Sequence, residues 1–174
     1  MELRRIGAGD AVAGFASGDD DLDRYLKRFA WFNQCRRFSV TYVAVDEGVI
    51  AGYLTVAAAQ VERDDLPESL TADKPAYPLP ALRVARLAVD RRYRGRGLGR
   101  ELMRAAFVRA SELSELAGCV GVLVDAVPHA TGFYEKLGFL TLATLEGRSP
   151  VRPRPVPMFL TLAVADATSS AERD

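Results

Sequence analysis

The most constraining feature of the sequence is a strand, helix, strand pattern in its second half. Residues 83–89 read as a strand, and residues 119–126 are almost entirely apolar, as in a strand buried on both faces. Between these two strands, glycines at positions 97 and 99 introduce a helix that ends at Gly118. Its apolar residues recur on one face: Leu102, Ala106, Ala110, Leu113 and Ala117. The pattern indicates a helix that connects two strands.

The rest of the chain predicts further elements around this pattern. Ser17, followed three residues later by Asp20, indicates a capped amphipathic helix that continues to Ala30. Residues 60–80, rich in charge and proline, predict a long irregular loop. A short helix is expected over residues 131–137, and strands are expected over residues 39–45, 49–56, 139–144 and 157–162. This order predicts an α/β (α+β) fold with a mixed central sheet covered by helices.

The length of 174 residues predicts one domain, over residues 1–166, followed by a frayed tail over residues 167–174. No apolar run approaches the roughly 18 to 20 residues that cross a bilayer, and no secretory signal follows Met1, so we expect a cytoplasmic protein without a membrane span. Cys35 and Cys119 lie among apolar or aromatic residues and are predicted to be buried, reduced thiols. With one histidine in the chain, no metal site is expected.

Positive charge is concentrated in one short stretch of a chain whose net charge is zero. Residues 83–109 carry nine arginines against Asp90 and Glu101, a net charge of +7, whereas residues 1–82 carry −4 and residues 110–174 carry −3. A dense basic block in a neutral protein favours a local anion site over a general nucleic-acid surface.

The chemistry is expected at residues 91–100, between the central strand and the helix. Gly95, Gly97 and Gly99 stand at every second position, so the backbone can turn tightly and present N–H groups to an anion at the helix N-terminus. The sequence Gly99-Arg100-Glu101 lacks the Lys-Ser/Thr pair of a Walker loop. A dinucleotide-binding fold would have this glycine motif early in the chain and an acidic ribose-binding residue about 20 positions after it. Here the motif is central and no suitable acidic residue follows, so a dinucleotide-binding fold is disfavoured. We therefore expect a pyrophosphate ligand of another kind.

Two segments stand out, Arg94-Gly95-Arg96-Gly97-Leu98-Gly99 and Phe133-Tyr134-Glu135-Lys136-Leu137-Gly138-Phe139. Together they resemble the pyrophosphate loop and the C-terminal element of the GNAT superfamily of acyl-CoA-dependent N-acetyltransferases. The resemblance implies a GNAT fold whose sheet is splayed in the middle, with acetyl-CoA as co-substrate. It assigns pantetheine and thioester contacts to the central strand and pyrophosphate contacts to the loop, through Leu87, Ala88, Val89, Arg94, Gly95, Arg96, Gly97, Leu98, Gly99 and Arg100.

The resemblance gives Tyr134 the role of general acid, which returns a proton to the departing thiolate. A phenol with a reference pKa near 10 is protonated at neutral pH and suits that role. Val127 replaces an asparagine that is frequent in the family, so that pantetheine contact is not carried over. Residues 83–89 hold no carboxylate that could act as a general base, which favours an acceptor amine with a pKa near 7 to 8, such as an α-amine.

Several short segments carry a narrower likeness: Ser17-Gly18-Asp19, Leu22 to Leu26, Asn33-Gln34, Gly52-Tyr53, Tyr77 to Pro80 and Arg86 to Asp90. Together they resemble the toxin-type GNAT proteins of bacterial toxin–antitoxin pairs. The likeness implies acetylation of the α-amine of aminoacyl-tRNA, a homodimer and neutralisation by a ribbon-helix-helix antitoxin.

The alternatives are acetylation of a small-molecule or protein N-terminal amine, and a CoA-sensing module without transferase activity. A tRNA substrate requires basic surface beyond the CoA loop. The candidates for such a second patch are Arg4, Arg5, Arg28, Arg36, Arg37, Arg148, Arg152 and Arg154.

Overall fold

A computed structural model describes residues 1–72, 74–142 and 154–162. The helices are α1 (Asp20–Arg28), α2 (Ala30–Cys35), α3 (Leu98–Ala117) and α4 (Thr131–Glu135). The strands are β1 (Glu2–Arg5), β2 (Val40–Asp46), β3 (Val49–Val61), β4 (Leu79–Val89), β5 (Gly121–Ala126), β6 (Leu140–Thr141) and β7 (Val156–Thr161). They form one sheet in the order β1-β2-β3-β4-β5-β7-β6. The predicted class, a mixed sheet with flanking helices, is confirmed.

The first of two compact units comprises Met1–Ala57 and Val84–Ala106. Strands β1, β2 and β3 pair antiparallel within it. Its core packs α1 and α2 against the sheet through apolar residues that are at most 6% exposed: Ile6, Phe15, Leu26, Ala30, Val43, Ile50, Tyr53 and Ala88. Helix α1 begins after Asp19, whose side chain accepts from the N–H groups of Asp21 and Leu22. The end of β4 and the start of α3 therefore belong to a unit with a closely packed apolar core.

The second unit comprises Ala58–Arg83 and Phe107–Asp174. Strands β5, β7 and β6 pair antiparallel, with Gly121 opposite Thr161. A side chain at Gly121 would meet the Leu160 carbonyl oxygen at 2.3 Å, which explains the glycine at this position. The core of this unit is formed by Val61, Leu66, Leu79, Ala81, Leu123, Leu142 and Phe159.

Several sequence expectations need correction. The cap of α1 is Asp19 and not Ser17, because the Ser17 hydroxyl donates to Asp23 instead. The expected single helix is broken at Phe29 into α1 and α2. Cys35 is exposed, because it lies on the outer face of α2, whereas Cys119 is buried as predicted. Strand β1 was not expected from the sequence.

The expected loop over residues 60–80 is shorter than predicted, because β3 continues to Val61 and β4 begins at Leu79. The strand expected over residues 139–144 is described as far as position 142 and comprises Leu140–Thr141. The tail over residues 167–174 lies outside the described residues. In the part of the chain that is described, no helix is long and apolar enough to span a bilayer, and no group of three or more metal-ligating side chains is found.

Candidate active site

Strand β4 presents the residues that the resemblance assigned to the thioester. Ala88 is 6% exposed and packs in the first core, Arg86 is exposed, and Leu87 and Val89 are half-buried. Successive side chains of a strand point to opposite faces, so Arg86 and Ala88 share one face of the sheet. Leu87 and Val89 therefore share the face opposite Ala88.

Asp90 ends β4 and fixes the loop that follows. Its carboxylate is 1% exposed and accepts hydrogen bonds from the Ala16 N–H at 3.0 Å, the Arg92 N–H at 3.0 Å, and Arg92 Nε and Nη2 at 2.8 and 2.9 Å. These bonds, above all those from the Arg92 guanidinium, lower the pKa of Asp90 to about 2. The carboxylate is therefore ionised at physiological pH and holds the start of the loop on residues 14–17.

Other arginines of the loop also contact this N-terminal segment. The Arg91 N–H donates to the Ala16 carbonyl at 3.0 Å, and Arg94 Nη2 donates to the Ser17 carbonyl. The Arg91 guanidinium lies against Gly18, where an added Cβ would stand 2.7 Å from Nε. Gly18 has φ +94°, so the segment turns sharply at that point. Three neighbouring arginines thus hold the loop against this segment, and the anion contacts assigned to Arg94 and the residues that follow it stay predictions.

The glycines of the loop form an open cradle. Gly95 and Gly97 have φ of 75° and 81°, a conformation that favours glycine, and a Cβ at either position would meet no atom within 4 Å. The Gly97 carbonyl accepts from the N–H groups of Arg100 and Glu101 as α3 begins. The first N–H groups of a helix have no helical acceptor and bind phosphate oxygens well. The open backbone, the helix start and the nearby guanidinium groups fit the diphosphate of coenzyme A.

The side chains of the loop differ in their surroundings. Leu98 is 4% exposed and anchors the first turn of α3 in the core, and Gly99 follows it in that turn. Arg96 stacks on Tyr93, with the guanidinium carbon 5.5 Å from the ring centre. Arg96 and Arg100 are both exposed. The ligand contacts that we assigned to these residues remain predictions.

Tyr134 belongs to the second unit and is 6% exposed in α4. Its ring makes edge contacts with Phe133 and Phe139, at centroid distances of 5.0 and 5.5 Å. Its carbonyl accepts from the N–H groups of Leu137 and Phe139, which fixes the backbone. Burial raises the pKa of the phenol to about 12, so the hydroxyl keeps its proton at neutral pH. The ring and the backbone of Tyr134 are thus held in place, and its role as general acid stays a prediction.

The loop and the strands around it match a known protein family. Residues 37–140 match the family described as "Acetyltransferase (GNAT) domain", which is more than half of the chain. The chain belongs to the GNAT acetyltransferase family. It is therefore an N-acetyltransferase, and acetyl-CoA is its acetyl donor.

Curated relatives of the chain include bacterial toxins. The chain is 35% identical to a "tRNA-acetylating toxin" of Mycobacterium tuberculosis over 137 residues, which cover 78% of this chain and 82% of that protein. It is 26% identical to a "Probable toxin TacT" of Sinorhizobium fredii, over 87% of this chain and 84% of that one.

Among solved structures, AtaT complexed with acetyl-methionyl-tRNAfMet has a TM-score of 0.84 at 22% identity, covering 97% of this chain and 98% of that chain. A tyrosine-to-phenylalanine variant of KacT has a TM-score of 0.81 at 23% identity, over 97% and 99% of the two chains. At this identity the likeness establishes the shared GNAT fold.

Sequence reasoning missed the role of Asp90. Asp90 was counted as a charge within the basic block and as the end of the Arg86 to Asp90 segment, and its structural role was not seen because its Ala16 partner is 74 positions away in the sequence. Of the candidates for a second basic patch, Arg4 forms an ion pair with Asp10 at 2.6 Å, and Arg148 and Arg152 lie outside the described residues. Arg28, Arg36 and Arg37 are exposed on or next to α1 and α2.

We predict that Asp90→Asn destabilises the protein by about 2 kcal/mol at pH 7. The reason is that a carboxyl pKa of about 2 in the folded state, against the ordinary value of 3.8, stabilises the folded protein by about that free energy when the carboxylate is ionised. A carboxylate with a lowered pKa stabilises the fold above its unfolded pKa and loses that contribution as the pH falls through its folded pKa. The difference between wild type and variant in urea unfolding should therefore shrink from pH 5 towards pH 2. A difference that grows over this range would contradict the assignment.

We predict that Gly97→Asp weakens acetyl-CoA binding at least about 100-fold, because a carboxylate in the open cradle repels the diphosphate. Gly97→Asn is the matched control, since it has the same shape and the same positive φ but no charge. Calorimetry should show a smaller loss for Gly97→Asn than for Gly97→Asp. Equal wild-type affinity in all three proteins would refute the position of the diphosphate.

Proposed function

We propose that this enzyme transfers the acetyl group of acetyl-CoA to the α-amine of aminoacyl-tRNA and thereby blocks translation as a toxin. The observation that carries the proposal is the 35% identity to a tRNA-acetylating toxin over 82% of that protein's length. The GNAT loop supports the acetyl donor, and the absence of a carboxylate from positions 83–89 supports a weakly basic acceptor. We also propose a cytoplasmic location, where charged tRNA is present, and a single catalytic domain over residues 1–166.

The first unit binds the donor in this proposal. The N–H groups from Gly95 to Gly99 bind the diphosphate, with Arg96 and Arg100 adding positive charge. The main chain at Leu87, Ala88 and Val89 pairs with pantetheine and polarises the thioester carbonyl. Asp90 acts as a positioning residue, because it ties the end of this strand to the loop that follows.

Tyr134 supplies the proton that the reaction needs. The neutral amine attacks the thioester carbon, a C–N bond forms, the C–S bond breaks, and the leaving sulfur takes the hydroxyl proton of Tyr134. The proton lost by the amine passes to water, since positions 83–89 hold no carboxylate. A pKa of about 12 keeps the phenol protonated until the thiolate forms. The tyrosinate is then reprotonated from solvent.

We predict that Tyr134→Phe lowers kcat by about 10²- to 10⁴-fold, because general-acid catalysis contributes about that much. The affinity for acetyl-CoA and the melting temperature should change little, since the ring contacts with Phe133 and Phe139 remain. Tyr77→Phe is the control, because that tyrosine is 65% exposed. Steady-state kinetics with retained activity in Tyr134→Phe would remove Tyr134 from the mechanism.

The acceptor is tested with a panel of amines and purified wild-type enzyme. We expect N-acetyl-aminoacyl-tRNA, detected by mass spectrometry after nuclease digestion, at a higher kcat/KM than for a small amine or a peptide N-terminus. Expression of wild type in growing cells should stop translation, and Tyr134→Phe should not. Faster acetylation of a small amine or peptide would favour the alternative acceptor. Absence of thiol release with every amine would favour a CoA sensor.

The partners follow from the same proposal. A related structure is named as an AtaT variant bound to the C-terminus of the antitoxin AtaR, and another as AtaTR bound with acetyl-CoA. For this chain we propose a ribbon-helix-helix antitoxin and a homodimer. Co-expression with the product of a neighbouring small reading frame should relieve toxicity.

A further inference from the structure

A second basic region lies in the first unit, outside the acetyl-CoA loop. No acidic residue occurs between Asp23 and Asp46, whereas Arg24, Lys27, Arg28, Arg36 and Arg37 fall in that interval. The segment carries +5, although residues 1–82 as a whole carry −4. Arg24 forms an ion pair with Asp21, and the other four basic residues are exposed.

The same segment exposes four large aromatic side chains within ten residues. Phe29 is 45% exposed, Trp31 41%, Phe32 48% and Phe38 63%. Aromatic side chains that cluster on a surface mark a binding site, whereas single ones do not. We call the combined region the α1–α2 surface, and it consists of Lys27, Arg28, Phe29, Trp31, Phe32, Arg36, Arg37 and Phe38.

The α1–α2 surface is held in place by the residues beneath it. Ala30 and Leu26 are buried in the core. Gln34 donates to the Ile6 carbonyl at 2.8 Å and accepts from the Thr41 N–H at 3.1 Å, which ties α2 to the sheet. The Phe38 N–H donates to the Asn33 carbonyl at 2.9 Å and closes the turn after α2. The exposed aromatic rings therefore stand on a fixed backbone.

A cationic group and an aromatic ring of this surface are in contact. The Arg36 guanidinium carbon lies 4.4 Å from the centre of the Phe32 ring. Arg37 has φ +61° in the turn, next to Phe38. Proteins that bind single-stranded RNA combine such cations with aromatic rings, on which unpaired bases stack.

A chain of ring contacts connects the surface to β4. The rings of Phe29 and Tyr25 are 6.5 Å apart, and the Arg86 guanidinium carbon lies 5.2 Å from the centre of the Tyr25 ring. Arg86 immediately precedes Leu87 on β4, the strand that we propose pairs with pantetheine. The surface is thus adjacent, within one compact unit, to the strand on which acetyl transfer is proposed.

We propose that the α1–α2 surface binds the unpaired 3′ end of the acceptor tRNA by base stacking and phosphate pairing. The inference rests on the proposed function, in which the reacting amine is attached to that single-stranded end. The four basic residues of the surface, with no acidic residue among its members, favour a polyanion. The same charge disfavours a second copy of the chain, because a twofold interface would bring two like-charged patches together.

The test measures RNA binding directly by the fluorescence of Trp31, the only tryptophan in the chain. The probes are an acceptor-stem RNA with a four-nucleotide single-stranded 3′ end and the same stem with a blunt end. We expect the first RNA to quench Trp31 at lower concentrations than the second. In the variant Phe32→Ala/Phe38→Ala, affinity for the first RNA should fall about 10- to 100-fold, as expected for lost base stacking. Affinity for acetyl-CoA should be unchanged.

Kinetics separate this inference from the proposed function. The double variant should raise KM for aminoacyl-tRNA and leave activity on a minimal aminoacyl-nucleoside ester unchanged, and Tyr77→Ala, an exposed aromatic control, should change neither. Equal quenching by both RNAs would overturn the inference, and so would a double variant whose KM for aminoacyl-tRNA equals that of wild type. In either case, acetylation of aminoacyl-tRNA by the wild-type enzyme would still support the proposed function. Selective quenching without acetylation of tRNA would refute the function and support RNA binding. A variant that changes sedimentation but not RNA affinity would assign the surface to self-association and overturn the inference.

Discussion

The position of the glycine loop depends on one buried carboxylate. Asp90 is at the end of β4, and its hydrogen bonds to Ala16 and Arg92 fix the direction in which the chain leaves the sheet. A glycine loop has little conformational preference of its own, so its shape has to be imposed from its ends. The start of α3, anchored by the buried Leu98, fixes the other end. Between these two anchors the backbone of Gly95 and Gly97 is open.

The division of work among the arginines follows from this arrangement. The sequence indicated a local anion site in the basic block, and Arg91, Arg92 and Arg94 also contact the segment from Gly14 to Gly18. These contacts hold the loop against a segment about 75 positions earlier in the sequence, and the ligand contact assigned to Arg94 stays a prediction. The side chains of Arg96 and Arg100 are exposed, and their contacts with the diphosphate stay a prediction.

The elements with a strong periodic pattern could be predicted from the sequence. Helix α3 and strand β5 followed from apolar spacing, and the cradle followed from its glycines. Strand β1 could not be predicted, because its residues are mostly exposed and it is defined by backbone pairing with β2. The cap of α1 was misassigned because Ser17 and Asp19 are both good caps, and only the turn at Gly18 selects Asp19. The Asp90 bonds and the exposed aromatic cluster required the tertiary structure, since single-sequence patterns do not show which apolar residues stay outside a core.

The two compact units are interleaved along the chain. The first takes residues 1–57 and 84–106, and the second takes the intervening segment and everything after position 106. Strands β3 and β4 both continue across a boundary, so neither unit corresponds to a contiguous piece of polypeptide. The first unit contains every residue of the glycine loop, yet its last segment is complete only when position 106 has been synthesised. A shortened gene product that ends before α3 would therefore leave unpaired strand edges and would be prone to aggregate.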